Sequence, residues 1–116
     1  MGKKNDPADP ARLPAAVNHY LETERSKDVE GQMHLFADDA FVRDEGREHR
    51  GLDALRQWKR ELHSKFAYTV DPIEASVSGH TVRLLARLSG DFPGSPVELD
   101  HIFTLSEGKI TSLVIE

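Results

Sequence analysis

The first half of the chain carries apolar residues at helical spacing. Pro14 suits the first position of a helix, and the residues after it predict a helix over roughly 14–26 with one apolar stripe of Ala16, Val17, Tyr20 and Leu21. Asp28 is expected to cap a second short helix, whose inner face is Val29, Gln32, Met33 and Phe36. The segment 40–44 is typical of a short strand, and a third helix is predicted from about Asp53 to Lys65 by Leu55, Trp58, Leu62 and Phe66.

The second half changes to the pattern of β-strands. Four β-rich runs, over residues 68–77, 81–88, 97–105 and 110–115, are separated by turn-forming pairs or triplets that contain glycine. Runs of this length with such breaks are typical of an antiparallel meander. Because the helices come first and the strands follow, the order predicts an α+β domain with helices on one face of the sheet.

Length and composition limit the range of functions. The chain has 116 residues, enough for one domain, and we expect residues 1–12 to be a disordered polar tail and residues 13–116 to form the domain. A net charge of −5 argues against a nucleic-acid partner, and the lack of cysteine excludes disulfide scaffolds and thiol catalysis. No apolar run is long enough to span a membrane and the first residues do not resemble a secretory signal, so we expect a cytoplasmic protein.

Candidate chemistry is confined to a few polar residues. The six histidines form no metal-binding motif, and the one possible pair, His34 and Asp38, is better explained as a solvated helix face, so we expect no metal and no cofactor. Tyr20, Asp44 and Asp100 occupy positions where apolar residues were expected. Each also has a simpler explanation: a core tyrosine with a bonded hydroxyl, an aspartate before a glycine turn, and an aspartate facing water.

The strand around Asp100 presents two different faces. Val97, Leu99, His101 and Phe103 alternate onto one face, and Asp100 lies on the other. If a pocket lies on the Asp100 face, the more apolar face must be covered by something else, and a second subunit would cover it.

Several motifs together resemble a known superfamily. The run Leu35-Phe36-Ala37-Asp38-Asp39-Ala40-Phe41-Val42, the helix after Gly51 that contains Trp58, and the Gly108-Lys109-Ile110 hairpin are similar to the nuclear transport factor 2-like superfamily. This group includes ketosteroid isomerases and SnoaL-like polyketide cyclases, and the resemblance covers nearly all of residues 13–116. It implies a cone in which three helices pack on a strongly curved antiparallel sheet and enclose a pocket, usually as a dimer.

The resemblance to ketosteroid isomerases implies a catalytic site. Two segments, from His19 to Asp44 and from Asp100 to Ile110, are similar to those enzymes without a gap. The similarity places the oxyanion-binding tyrosine on Tyr20, the catalytic base on Asp44, and a second oxyanion donor, a protonated aspartic acid, on Asp100. Such a site moves a double bond into conjugation with a ketone: the base transfers a proton while the donors stabilise the enolate oxygen, and no cofactor is needed.

These predictions include a pocket and its partners. We expect apolar walls formed by Val17, Phe36, Val42, Trp58, Ile102 and Leu113. The expected ligand is a small apolar ketone or a polyketide- or steroid-like molecule, and the expected assembly is a homodimer through the outer face of the sheet. The chain departs from the isomerases in having Tyr20 and Tyr68 as its only tyrosines, with Phe36 and Lys59 near the positions of supporting tyrosines.

Three hypotheses stay open at this point. The first is a ketosteroid isomerase-like enzyme that transfers a proton through an enolate. The second is a non-catalytic binder of small molecules, and the third is a dimeric interaction module. The fold hosts all three classes, so it does not decide between them.

Overall fold

The structure, a computed structural model, describes residues 6–7, 9 and 12–116. Within these residues there are three helices: α1 (Ala15–Ser26), α2 (Val29–Met33) and α3 (Leu52–Lys65). The strands of the same residues are β1 (Asp6–Pro7), β2 (Phe36–Asp44), β3 (Arg47–Arg50), β4 (Tyr68–Ser78), β5 (Thr81–Gly90), β6 (Val97–Ser106) and β7 (Lys109–Ile115). None of the helices described is long and apolar enough to cross a membrane.

The seven strands described form one curved sheet in the order β1-β4-β5-β6-β7-β2-β3. Every neighbouring pair is antiparallel except β2 and β7, which run parallel, so the sheet is mixed rather than wholly antiparallel. Register shifts occur within β2, after Pro72 in β4 and after Thr104 in β6. An extra residue in one strand bends and twists the sheet, and these shifts account for its curvature.

The helices cover one face of this sheet and bury the core between the two layers. Core side chains from both layers are completely buried, among them Val17, Leu55, Val82, Leu84 and Phe103. The predicted α+β architecture, with helices on one face of the sheet, is confirmed.

Two local predictions need correction. The second helix ends at Met33, and Phe36 begins strand β2, because the chain joins the sheet there: the amide of Ile110 on β7 donates to the carbonyl of Leu35 over 2.8 Å. Strand β3 was not expected, since its sequence Arg-Glu-His-Arg has no apolar alternation. It pairs with β2 through the turn at Glu45 and Gly46, which both adopt positive φ angles of 55° and 74°. Such a pair of angles is typical of tight hairpins.

The expected tail lies mostly outside the described residues, which omit 1–5, 8, 10 and 11. Within it, Asp6–Pro7 pair with β4. The disorder of the tail and the boundary at residue 13 stay predictions.

Candidate functional site

A cavity of about 420 Å³ lies on the helix side of the sheet. Its apolar wall comes from α3, the strands and the loop after β5, and includes Leu62, Phe66, Val70, Leu88, Phe92 and Leu99. Its polar groups come from five different elements: Tyr20, Glu24, Asp44, Lys59, Tyr68 and His101. A few convergent polar groups in a mostly apolar cavity are the usual features of a small-molecule site.

The charged centre of the cavity joins α1 to α3. Tyr20 and Glu24 lie one turn apart on α1 and therefore on the same face. Lys59 on α3 places its Nζ 2.8 Å from Oε2 of Glu24 and donates to the hydroxyl of Tyr20 over 3.4 Å. The Lys59 and Glu24 side chains are only 2% and 4% exposed, so this is a buried ion pair.

Glu24 is held in its charged form by its partners. Burial alone would raise its pKa, but the ammonium of Lys59 and the hydrogen bonds from Lys59 and Gln32 outweigh burial and lower the pKa. The Gln32 amide donates to Oε2 of Glu24 over 3.0 Å. The cavity therefore contains a fixed carboxylate and a fixed ammonium side by side.

Both tyrosines of the cavity keep their protons. Burial, followed by the charge of Glu24, raises the pKa of Tyr20 well above its ordinary value, and the same two causes raise the pKa of Tyr68. The hydroxyl of Tyr68 donates to Oε1 of Glu24 over 3.5 Å. The hydroxyl of Tyr20 accepts from Lys59, so its own proton is left to donate to a ligand.

Asp44 lies at the end of β2 and lines the same cavity. The indole Nε1 of Trp58 donates to its Oδ2 over 3.1 Å. Among the described residues, no other side chain bonds to this carboxylate, which leaves Oδ1 accessible to a ligand. The ammonium of Lys59 lies 4.2 Å from the centre of the Trp58 ring, so the tryptophan links Asp44 to the buried ion pair.

His101 extends from β6 into the cavity wall and is 2% exposed. Its Nδ1 lies 3.2 Å from the carbonyl oxygen of Leu99, and its ring stacks on Phe103. Burial lowers the pKa of His101, and the charge of Lys59 acts in the same direction. The imidazole is therefore neutral at physiological pH.

The structure places Asp100 outside the cavity, which corrects its predicted role. Asp100 pairs with Leu85 in the ladder between β5 and β6 and lies on the face of the sheet opposite to His101. Its Oδ2 forms an ion pair with the guanidinium of Arg83 at 2.7 Å, and its side chain is 30% exposed. It cannot reach a ligand in the cavity, so the more apolar face of β6 is the one that lines the pocket.

The expected pocket walls also need correction. Of the six residues predicted, Trp58 lines the cavity. Four others belong to the buried core away from the cavity, namely Val17, Phe36, Val42 and Leu113, and Ile102 lies on the outer face beside Arg83.

The position of the cavity explains those misplaced wall residues. On α1, β2 and β7, the residues that line the cavity are Tyr20, Asp44 and Ile115, whereas the expected ones lie closer to the start of each element. The parallel strands β2 and β7 pair Asp44 with Ile115, so both strands end at the cavity. The pocket therefore lies at one end of the core rather than beneath its middle.

Sequence reasoning missed Glu24, His101 and Tyr68 as site residues and noted Lys59 only as a departure from the isomerases. Glu24 continues the apolar stripe of α1 four residues after Tyr20, and Lys59 lies beside Trp58 on the buried face of α3. A charged residue on an apolar stripe is the signal that could have found both. Within the described residues, no three His, Asp or Glu side chains are grouped closely enough to hold a metal ion.

Residues 17–113 match the family model of the SnoaL-like domain. The chain belongs to the SnoaL-like domain family. The resemblance to the nuclear transport factor 2-like superfamily is thereby confirmed. No curated protein sequence shows significant similarity to this SnoaL-like chain.

Solved structures show the same relationship. The chain is similar to SMa1630 from Sinorhizobium meliloti, a candidate polyketide cyclase, with 36% identity over 94% of this chain and 100% of that chain and a TM-score of 0.91. A protein with a ketosteroid isomerase-like fold from Catenulispora acidiphila, in complex with trimethylamine, has 20% identity over 90% and 85% of the two chains and a TM-score of 0.79. An NTF2-like protein of unknown function from Cytophaga hutchinsonii has 13% identity over 87% and 85% and a TM-score of 0.72. The last two show the fold alone.

Proposed function

We propose that this SnoaL-like domain is a proton-transfer enzyme that forms an enolate from a ketone and isomerises an unconjugated double bond through it. The observation that supports this most directly is that the Asp44 carboxylate and the Tyr20 hydroxyl line one apolar cavity. A base and a donor on one cavity are the two groups that enolate formation requires. The similarity of this chain to SMa1630, a candidate polyketide cyclase, also favours chemistry next to a carbonyl group.

Asp44 acts as the base. Trp58 holds Oδ2 by a hydrogen bond, so Oδ1 takes the proton from the carbon beside the ketone and returns it further along the ligand. The electrons of the broken C–H bond move to the ketone oxygen and form the enolate. Because the same carboxylate gives the proton back, the reaction needs no other proton source.

Tyr20 stabilises the enolate oxygen, and Lys59 supports Tyr20 in the place of the supporting tyrosines of the isomerases. The ammonium of Lys59 donates to the Tyr20 oxygen and thereby strengthens the donation by the Tyr20 proton. The pKa of Tyr20 is raised by burial and then by Glu24, which keeps the proton in place for donation. The apolar walls exclude water and so make each of these hydrogen bonds more effective.

The ligand that fits is a small ketone with an apolar body, of polyketide-like or steroid-like chemistry. The walls from Phe66, Leu88 and Leu99 provide contact area for such a body. The buried ion pair makes one part of the cavity more polar than a purely hydrocarbon ligand needs. The homodimer and the cytoplasmic location stay predictions that accompany this function.

The test measures exchange of the protons next to the carbonyl of 1-tetralone in D₂O, followed by NMR. A second assay follows conjugation of an unconjugated 3-ketosteroid by absorbance. We expect Asp44→Asn to reduce both rates by about 10²–10⁴-fold, because it removes the base while keeping an acceptor for Trp58. Tyr20→Phe is expected to reduce both by about 10²-fold, since the ring contacts stay and the donor is lost.

Asp100→Asn is the matched control, with the same chemical change on the outer face of the sheet. We expect it to keep the wild-type rates. An equal loss in Asp44→Asn and Asp100→Asn would contradict the assignment of the base. If 1-tetralone raises the melting temperature of the wild type but no exchange occurs, the domain is a binder; if it does neither, the interaction module is favoured.

A further inference from the structure

The ring of His101 has one nitrogen that the proposed mechanism does not use. A carbonyl oxygen only accepts hydrogen bonds, so the contact between Nδ1 and the carbonyl of Leu99 at 3.2 Å requires the proton to be on Nδ1. In a neutral imidazole the other nitrogen, Nε2, then has a free lone pair and acts as an acceptor. The backbone of β6 thus fixes both the tautomer and the orientation of the ring.

This acceptor has no hydrogen-bond partner among the described protein groups, and it is not sealed off, because the one buried side-chain atom left unpartnered there is Oε1 of Gln32. In the part of the chain that the structure describes, Leu99 supplies the one hydrogen bond of the His101 ring. The residue is 2% exposed and lines the cavity, so a cavity ligand is the group that can reach Nε2. A ligand that fills the cavity takes water away from Nε2, and an acceptor left without a donor is unfavourable, so the site favours a ligand that brings one.

The other polar groups of the cavity show that a simple ketone would leave Nε2 of His101 without a hydrogen bond. Its oxygen accepts from Tyr20, and its acidic carbon faces Asp44, but it offers no hydrogen-bond donor. The protein donors nearby bond to other groups, since Tyr68 donates to Glu24 and Lys59 donates to Glu24 and Tyr20. Once a ligand has displaced water from the cavity, a donor on that ligand is the group that can bond to His101.

We propose that His101 accepts a hydrogen bond from a hydroxyl group of the ligand, so that the site selects ketones that also carry a hydroxyl. This inference rests on the proposed function, because it takes Tyr20 as the group that binds the ketone oxygen. His101 is thus a specificity-determining residue. It does not act as an acid, because Nε2 carries no proton to give.

The test compares the binding of 1-tetralone with that of its three hydroxy derivatives, the 5-, 6- and 7-hydroxy isomers, measured by calorimetry. We expect wild type to bind at least one hydroxy isomer about five- to tenfold more tightly than 1-tetralone, as one neutral hydrogen bond allows. His101→Phe keeps an aromatic ring beside Phe103 and is expected to reduce this ratio to about one while 1-tetralone still binds. His101→Gln restores a side-chain acceptor and is expected to recover part of the preference.

NMR of ¹⁵N-histidine-labelled protein gives a readout that a merely structural role would not change. We expect the His101 Nε2 signal of the free protein to be that of a bare acceptor, and to shift with the preferred hydroxy isomer but not with 1-tetralone. Equal binding of all four probes to wild type, no measurable binding of any hydroxy isomer, or an unchanged preference in His101→Phe would overturn the proposal.

The same measurements separate this inference from the proposed function. Asp44→Asn is expected to keep the preference for the hydroxy isomer although turnover is lost. If wild type prefers the hydroxy isomer through His101 but shows no turnover, the proposed enzymatic function is overturned and the role of His101 is not. Turnover that depends on Asp44 without any preference overturns the role of His101 alone.

Discussion

At the scale of single residues, the two tyrosines share one environment with unusual consequences for their hydroxyl groups. Tyr20 and Tyr68 are the only tyrosines of the chain, and both face Glu24 in a buried cavity. Burial and the negative charge of Glu24 disfavour the phenolate of each, so both pKa values are raised. A hydroxyl that resists ionisation is a stable donor, and this is the property that the proposed role of Tyr20 needs.

We therefore expect folded protein to show little tyrosinate absorbance when the pH is raised just past the ordinary tyrosine value of 10.0. The pKa values of Tyr20 and Tyr68 are higher in the folded protein than in the unfolded chain. The stability that the two protonated hydroxyl groups contribute is therefore complete below pH 10.0 and is lost as the pH rises further. Absorbance titration of folded and denaturant-unfolded protein measures both effects. Tyrosines that are half ionised at pH 10.0 in folded protein would contradict this prediction and show that water solvates their hydroxyl groups.

At the scale of elements, the buried pair of Glu24 and Lys59 ties α1 to α3 above the sheet. Removing one member leaves the other charge buried without its partner, which costs about 3–5 kcal/mol. We expect Lys59→Met to lower the free energy of unfolding by about that amount. The double variant Glu24→Leu with Lys59→Met is expected to lose less than the sum of the two single variants, because neither charge then remains.

Urea unfolding of the two single variants and the double variant measures this coupling. Arg60→Met is a matched control one residue further along α3, because it removes the exposed ion pair with Glu30 at 2.9 Å. We expect the control to change stability by less than about 1 kcal/mol. Strictly additive losses in the double variant would mean that the two charges do not interact across the helices.

Elements with a regular apolar period could be predicted from the sequence, and those held by tertiary pairing could not. Helices α1 and α3 and strands β4 to β7 lie close to their expected bounds. Strand β3 has no apolar side chains to alternate, and it forms because the turn at Glu45 and Gly46 folds it back on β2. The strand propensity of four residues carries no information on their pairing with β2, so β3 could not be predicted from its own sequence.

The residues of the candidate site could likewise be predicted only in part from the sequence. Tyr20 and Asp44 line one cavity because α1 and β2 have hydrophobic patterns that the sequence shows clearly. Asp100 was expected in the pocket and is on the outer face, since neighbouring residues of a strand point to opposite sides. The alternation along β6 already grouped His101 with the apolar residues, but the sequence does not say which face the helices cover.

At the scale of the whole molecule, the helices of the described residues leave the outer face of the sheet uncovered. This face carries Leu85 and Ile102, both half-buried, with Val114 of β7 opposite Ile102. Intramolecular ion pairs from Arg83 to Asp100 at 2.7 Å and from Arg87 to Glu98 at 2.8 Å neutralise the charges among them. A face that is part apolar and locally neutral is suited to pack against a second copy of itself around a two-fold axis.

We expect the protein to be a homodimer through this face, with a mass in sedimentation equilibrium of twice the 13.0 kDa chain. Ile102→Lys places a charge among the apolar residues of the face and is expected to give monomers, because a charge without a partner is unfavourable when it is buried in an interface. The control Gln57→Lys adds the same charge on the exposed side of α3 and is expected to remain dimeric. Monomeric wild type at micromolar concentration, or dimeric Ile102→Lys, would exclude the outer face as the interface. The cavity lies on the opposite side of the sheet, so the Ile102→Lys monomer is expected to keep its affinity for 1-tetralone.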